Sequence, residues 1–191
     1  MATHEDITEL AANRQIADER ISLQTWIDWV PDYLWVKDRE SRFVVVNSAL
    51  AADSGRDKTS DMIGLTDFDL HAPELAQKFR LIEQNVLNSG QPMIDEEEFV
   101  VDASGDGKWL SSTKVPLRNA QNEIFGLVGI AHDITARKRA DVLRNGQAHI
   151  LEMIAMSAPL EDVLDRLMRL VESQLTGIIG SVLLLDKDGS H

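Results

Sequence analysis

Apolar residues recur along this chain at two different periods, and the change of period divides it. From Ile7 to Val30 the spacing is helical, with Ile16, Leu23, Ile27 and Val30 on one side and Arg20 and Gln24 interrupting the stripe. Pro31 predicts the end of that helix, because proline disfavours a helical residue before it. The stripe either packs on the chain's own domain or pairs with a second copy. Tyr33–Lys37 and Phe43–Asn47 are instead rich in aromatic and β-branched residues, the composition of strands. Asp38-Arg39-Glu40-Ser41 between them has hairpin length. Short helical turns are expected over 48–55 and 58–64. A longer helix is expected over 72–87, with Pro73 in its first turn and Gly90 beyond its end. Leu75, Phe79, Ile82 and Val86 give it a core-facing stripe.

Strands return at Met93–Val101 and Lys108–Leu117, around the loop signal Asp102-Ala103-Ser104-Gly105-Asp106-Gly107. Another, Ile124–Ile134, follows the turn Asn119-Ala120-Gln121-Asn122. Hairpin-length connections cannot make parallel crossovers, so the order predicts an antiparallel α+β fold. Beyond Thr135 the period is helical again. Thr135 can cap a helix that opens Ala136-Arg137-Lys138-Arg139 and runs through Leu143, Ile150 and Ile154, with Gly146 as a weak point. Ala158-Pro159 breaks it. A second helix spans 160–175 and ends at Thr176-Gly177. Ser181–Leu185 reads as a strand and Asp186-Lys187-Asp188-Gly189 as a hairpin turn. A lone strand is not a stable unit, so the sequence reads as a piece of a longer protein.

Composition then removes function classes. The chain carries 19 basic and 32 acidic residues, a net charge of −13. That charge repels phosphate backbones and anionic bilayers, so neither nucleic acid nor direct membrane contact is expected. Cysteine is absent, which excludes disulfides, thiolate metal sites, cysteine nucleophiles and cysteinyl flavin photochemistry. Met1–Leu10 is too polar for a signal peptide and Ile124–Ala131 too short to span a bilayer, so a cytoplasmic protein is expected. His4, His71, His132, His149 and His191 form no metal-binding helical pair, and no metal site is expected. Ser111-Ser112-Thr113 has no histidine beside it. Ser104-Gly105-Asp106-Gly107 leads into a strand and not a helix, so it is no phosphate loop. The chain is not expected to be an enzyme.

The order and spacing of several short segments carry a family resemblance. They are Trp35-Val36-Lys37-Asp38, Arg42-Phe43, Asn47, Gly64-Leu65-Thr66-Asp67-Phe68, Trp109-Leu110, Lys114-Val115-Pro116-Leu117 and Gly126-Leu127-Val128-Gly129, closed by Asp133-Ile134-Thr135 with Arg137-Lys138. Together they make the block from Ile21 to Ala140 resemble a PAS domain. Leu143–His191 resembles the opening of a GAF domain. The resemblance implies an N-terminal helix over 1–30, a PAS domain over 31–135, a relay helix over 136–157 and the start of a GAF domain over 158–191. Its sheet would be five-stranded and antiparallel, with helices on one face and signalling helices flanking it. It implies a sensory module that binds a small ligand or partner. The signal would pass through Asp133, Ile134 and Thr135 to an output domain beyond this chain, and the protein would be a homodimer. In similar proteins the output is a diguanylate cyclase, a cyclic-di-GMP phosphodiesterase or a histidine kinase, and none of their catalytic motifs occurs here.

Placing the strands on the PAS pattern puts Leu110, Ser112 and Lys114 on the side of the family's pocket, with Glu96, Glu98 and Val100 opposite. Trp35, Leu127, Gly129 and Ala131 share that side. The expected ligand-binding set is Trp35, Glu96, Glu98, Leu110, Ser112, Lys114, Leu127 and Ala131. A buried lysine requires a partner, here Glu96, Glu98 or an anionic ligand such as a carboxylate. Were its strand an edge, Lys114 and the glutamates would be solvated instead. No cofactor is expected. Haem-binding relatives carry an axial histidine on the long helix, where this chain has Phe79 and Arg80, and His71 lies at the helix entrance. A haem or non-covalent flavin sensor and a ligand-free dimerisation module stand as alternatives.

Overall fold

The computed structural model describes residues 23–101, 107–174 and 180–182. The expected helix before Leu23, the loop over 102–106, the helix end at Thr176-Gly177 and the strand residues beyond Val182 lie outside the described residues. The chain divides into two units, one up to Ile134 and one from Thr135.

The first unit opens with helix α1 over 23–28. Then come β1 (Tyr33–Asp38), β2 (Phe43–Val46), α2 (Ser48–Asp53), tight helical turns at Thr59–Met62 and Asp67–Asp69, α3 (Pro73–Ser89), β3 (Met93–Val101), β4 (Gly107–Arg118) and β5 (Ile124–Asp133). The strands form one five-stranded antiparallel sheet in the order β2-β1-β5-β4-β3.

Local chemistry explains the joints. The Asp38 carboxylate accepts the backbone N–H groups of Glu40 and Arg42 and so closes the β1–β2 turn. Asn47 is fully buried, and its side-chain groups are answered. Its Oδ1 accepts from the N–H of Leu34 and, as the cap of α2, of Leu50. Its Nδ2 donates to the carbonyls of Ile27, Val30 and Asp32. A buried amide satisfied this way costs little and ties the exit of α1, β1 and α2 together.

Of the N-terminal apolar stripe, Ile27 and Val30 are half-buried but Leu23 is exposed. In α3, Pro73 stands in the first turn and Gly90, at φ 67, ends the helix in the left-handed conformation that suits glycine. Its buried residues are Ala76, Glu83, Val86 and Leu87, whereas Leu75, Phe79 and Ile82 are only half-buried. The expected stripe is thus rotated, because Glu83 is drawn inward by a buried cation described below. Phe43, Val46, Met62 and Leu127 belong to the core beneath it.

The second unit is a helical pair, α4 (Thr135–Ala155) and α5 (Leu160–Gln174). A Cβ placed on Gly146 would lie 2.4 Å from Leu170 Cδ1. Gly146 therefore packs directly against Leu170 of α5, where a side chain would not fit. Among the described residues, no helix is long and apolar enough to cross a membrane.

Candidate functional site

Strand alternation sets one face of the sheet toward α2 and α3, and a cavity of about 90 Å³ lies there. Register lines up its floor. Trp35 of β1 pairs with Gly129 of β5, which pairs with Lys114 of β4. One step along, Tyr33, Ala131 and Ser112 form a parallel row. A Cβ on Gly129 would fall 2.1 Å from Trp35 Cε2. The missing side chain lets the indole lie over β5, on the Lys114 side of its own strand.

Lys114 is 2% exposed. Its strand lies between β5 and β3, so it is no edge and the solvated reading does not apply. Lys114 Nζ is 3.7 Å from Glu98 Oε2, beyond hydrogen-bond reach, and 5.2 Å from the centre of the Phe79 ring. Burial pushes its ammonium below the usual lysine range, and the nearby Glu98 only partly opposes this. Glu98 Oε1 lies 3.8 Å from Nζ of the exposed Lys78. Among the described residues, Trp35 Nε1, Glu98 Oε1 and Glu83 Oε2 are buried without a hydrogen-bond partner.

The other charged groups are firmly held. Lys37 Nζ lies 2.6 Å from both Asp67 Oδ2 and Glu83 Oε1, with all three side chains buried. Burial holds the Glu83 carboxyl above the usual glutamate range against the pull of Lys37. Asp53 accepts the Tyr33 hydroxyl at 2.9 Å and pairs with Lys108. Burial and that hydrogen bond push the Tyr33 hydroxyl up to about 12.

Of the residues expected from sequence, Trp35, Glu98, Leu110, Ser112, Lys114 and Ala131 line the cavity. Glu96 and Leu127 do not. Glu96 pairs with Ser112 but is exposed. A register shift between Met93 and Glu96, with Asp95 at φ 53, turns this end of the edge strand outward. Leu127 is fully buried beside Lys37 in the register and fills core instead. Lys37, Asp53, Asp67, His71 and Glu83 also line the cavity and were not in the ligand-binding set expected from sequence. For two of them the sequence carried a signal. Lys37 alternates with Trp35 and Tyr33 on one strand face, and Glu83 follows Phe79 at a helical step of four.

β5 leads directly to the joint between the units. Asp133 ends the strand, and the N–H of the buried Ile134 donates to the Trp109 carbonyl at 2.8 Å. Thr135 is itself the first residue of α4.

His71 stands edge-on to Phe79, ring centres 5.4 Å apart. Burial pushes its imidazole below the usual 6.5, with Asp67 opposing. The folded state therefore binds this proton more weakly than the unfolded chain. The unfolded chain protonates first as pH falls through about 6.5, so acidification removes stability there. His71→Phe is expected to gain stability relative to wild type between about pH 7.5 and about pH 5.5, read from urea midpoints at both. An unchanged difference would mean that the ring is freely hydrated.

A five-stranded antiparallel sheet with helices on one face, and a cavity that holds several charged side chains, is the architecture of a small sensory domain. Residues 27–139 match the PAS fold family, and the chain belongs to it. It is a sensory signal-transduction module. It is 32% identical over 146 residues to a methyl sulfide methyltransferase-associated sensor of Methanosarcina acetivorans, covering 76% of this chain and 14% of that protein. It is 32% identical over 130 residues to the methanogenesis regulatory histidine kinase FilI of Methanothrix harundinacea, covering 68% of this chain and 14% of that protein. The chain thus spans about a seventh of the length of these relatives. The Vibrio cholerae VqmA–ligand–DNA complex is 29% identical, with a TM-score of 0.54, over 61% of this chain and 51% of that one.

Proposed function

We propose that the first unit senses a small molecule bearing a carboxylate, which binds beside Lys114, and that occupancy is passed through Asp133, Ile134 and Thr135 into α4. The observation that carries this reading is a buried lysine on the wall of a largely apolar cavity, with its ion partner beyond hydrogen-bond distance. The ligand must favour one of two arrangements of the joint, because equal affinity for both would shift nothing. The output lies in a longer protein. The likeness to a sensor and to a histidine kinase supports an output of signalling type. The GAF reading of 158–191, the homodimer and the cytoplasmic placement belong to the same proposal. Exposed Leu151, Ile154 and Leu160 in the helical pair support self-association. A volume of about 90 Å³ favours a small ligand over haem or flavin, since cofactor-sized sites begin at roughly 300 Å³.

The test is Lys114→Met, which keeps the methylene stem and removes the charge. Loss of an incompletely paired buried charge, with Lys78 still near Glu98, is expected to change stability by only about 1 kcal/mol. Thermal shifts given to wild type by acetate, lactate or glycine are expected to vanish in the variant. If wild type responds to none of these and the variant loses roughly 3–5 kcal/mol, Lys114 is structural and the proposal is wrong.

A further inference from the structure

We infer that the cavity's ligand is a small zwitterion, its carboxylate held by Lys114 and the Trp35 indole N–H and its ammonium held by Glu98. This rests on the ligand-sensing reading above and names the ligand class. Charge balance is the first argument. Lys37, Lys108 and Lys114 line the cavity against Asp53, Asp67, Glu83 and Glu98, so it has no positive excess. Two of those lysines are taken. Lys37 is held between Asp67 and Glu83 at 2.6 Å each, and Lys108 is paired with Asp53. What remains is Lys114 and Glu98, both buried and standing 3.7 Å apart.

Hydrogen-bond demand is the second argument. Among the described residues, a buried donor, Trp35 Nε1, and a buried acceptor, Glu98 Oε1, both lack hydrogen-bond partners, the exposed Lys78 ammonium standing 3.8 Å from the latter. Leaving such groups unanswered away from water is unfavourable. Gly129 sits between Trp35 and Lys114 in the register, so the indole donor and the ammonium flank one patch of floor. A carboxylate there would accept from both. A carboxylate alone would also face Glu98 across a few ångströms and compete with it for Lys114. An amine alone would answer Glu98 and leave Lys114 and Trp35 unanswered. A molecule carrying both groups answers all three and adds no net charge to a buried site.

Size is the third argument. About 90 Å³ is the liquid volume of roughly three waters at ~30 Å³ each. That admits glycine, alanine or serine and excludes long side chains. Phe79 and Leu110 supply apolar wall for a methyl or methylene.

The experiment is a thermal shift series on the 191-residue chain, followed by calorimetric Kd values. The probes are glycine, alanine and serine, the carboxylates acetate, propionate and lactate, and the amines methylamine and ethylamine, all at matched concentration. The zwitterions are expected to bind about tenfold or more tightly than either single-charge class. Glu98→Gln is expected to erase that ratio by weakening the zwitterions and strengthening the carboxylates. Trp35→Phe keeps an aromatic wall, removes the donor and is expected to weaken zwitterions and carboxylates alike. The wild-type ratio is itself decisive should a variant fail to fold. Carboxylates that match the zwitterions on wild type would overturn this inference and leave the carboxylate-sensing reading standing. The same holds if Glu98→Gln folds and leaves the ratio unchanged. No shift from any probe on wild type would overturn both.

Discussion

Lys37→Met is expected to destabilise the first unit by roughly 3–5 kcal/mol, the scale of breaking a buried ion pair from one side. Lys37 is 2% exposed, and its ammonium is 2.6 Å from a carboxylate oxygen of Asp67 and of Glu83. It also lies 4.3 Å from the centre of the Phe43 ring. These partners come from different elements: β1 supplies the cation, the tight helical turn Asp67–Asp69 supplies Asp67, and α3 supplies Glu83. Methionine would keep the stem and leave two buried carboxylates facing each other. Only protonation can relieve them. The variant's carboxyls then take up protons in the folded state at higher pH than in the unfolded chain. Where the folded state binds more protons, stability falls as pH rises, so the deficit grows as pH rises above about 4.5 and shrinks in acid. Urea unfolding at neutral and mildly acidic pH reads this directly. The triple variant Lys37→Met, Asp67→Asn, Glu83→Gln is expected to recover much of the loss, because neutral groups of similar shape tolerate burial. A single variant within about 1 kcal/mol of wild type would show that this cluster does not hold α3 on the sheet.

The contrast with Lys114 explains what was legible in the sequence. Element order was readable because each strand is a β-branched or aromatic run bounded by turn residues, and because Pro73 and Gly90 bracket α3. The face of β4 was readable because strand alternation has a strict period of two, which places Ser112 and Lys114 together. The pairing within the Lys37 cluster was not readable, because Asp67 and Glu83 lie 30 and 46 positions from Lys37 and meet it only after folding. The rotation of α3 has the same origin. Hydrophobic periodicity weights Leu75, Phe79 and Ile82, yet the fold spends a buried position on Glu83 because a cation waits beneath it. Glu96 differs from Glu98 in its place along the strand, not in its face. Alternation places it with Glu98, opposite Ser112, but it stands beside the register shift near the end of an edge strand and is exposed there.

Gly129→Ala is expected to destabilise the first unit by roughly 1–3 kcal/mol, the cost of overpacking a filled site, and to abolish ligand response. Backbone conformation is not the reason, since Gly129 lies within β5. The reason is the indole over it. The added Cβ would stand 2.1 Å from Trp35 Cε2, 2.3 Å from Cζ2 and 2.6 Å from Nε1. The core residues around Trp35 leave one direction of retreat, the cavity that it lines. An indole pushed there would fill ligand space and carry its N–H away from the Lys114 row. The clash involves Nε1, Cε2 and Cζ2 along one edge of the two-ring indole, so a single smaller ring should relieve it. In a double-mutant cycle, Gly129→Ala and Trp35→Phe together are therefore expected to cost less than the sum of the two alone, by about 1 kcal/mol or more. Additive losses would mean that the indole yields without cost. Gly129 would then be a matter of strand propensity and not the device that lays Trp35 across the floor of the site.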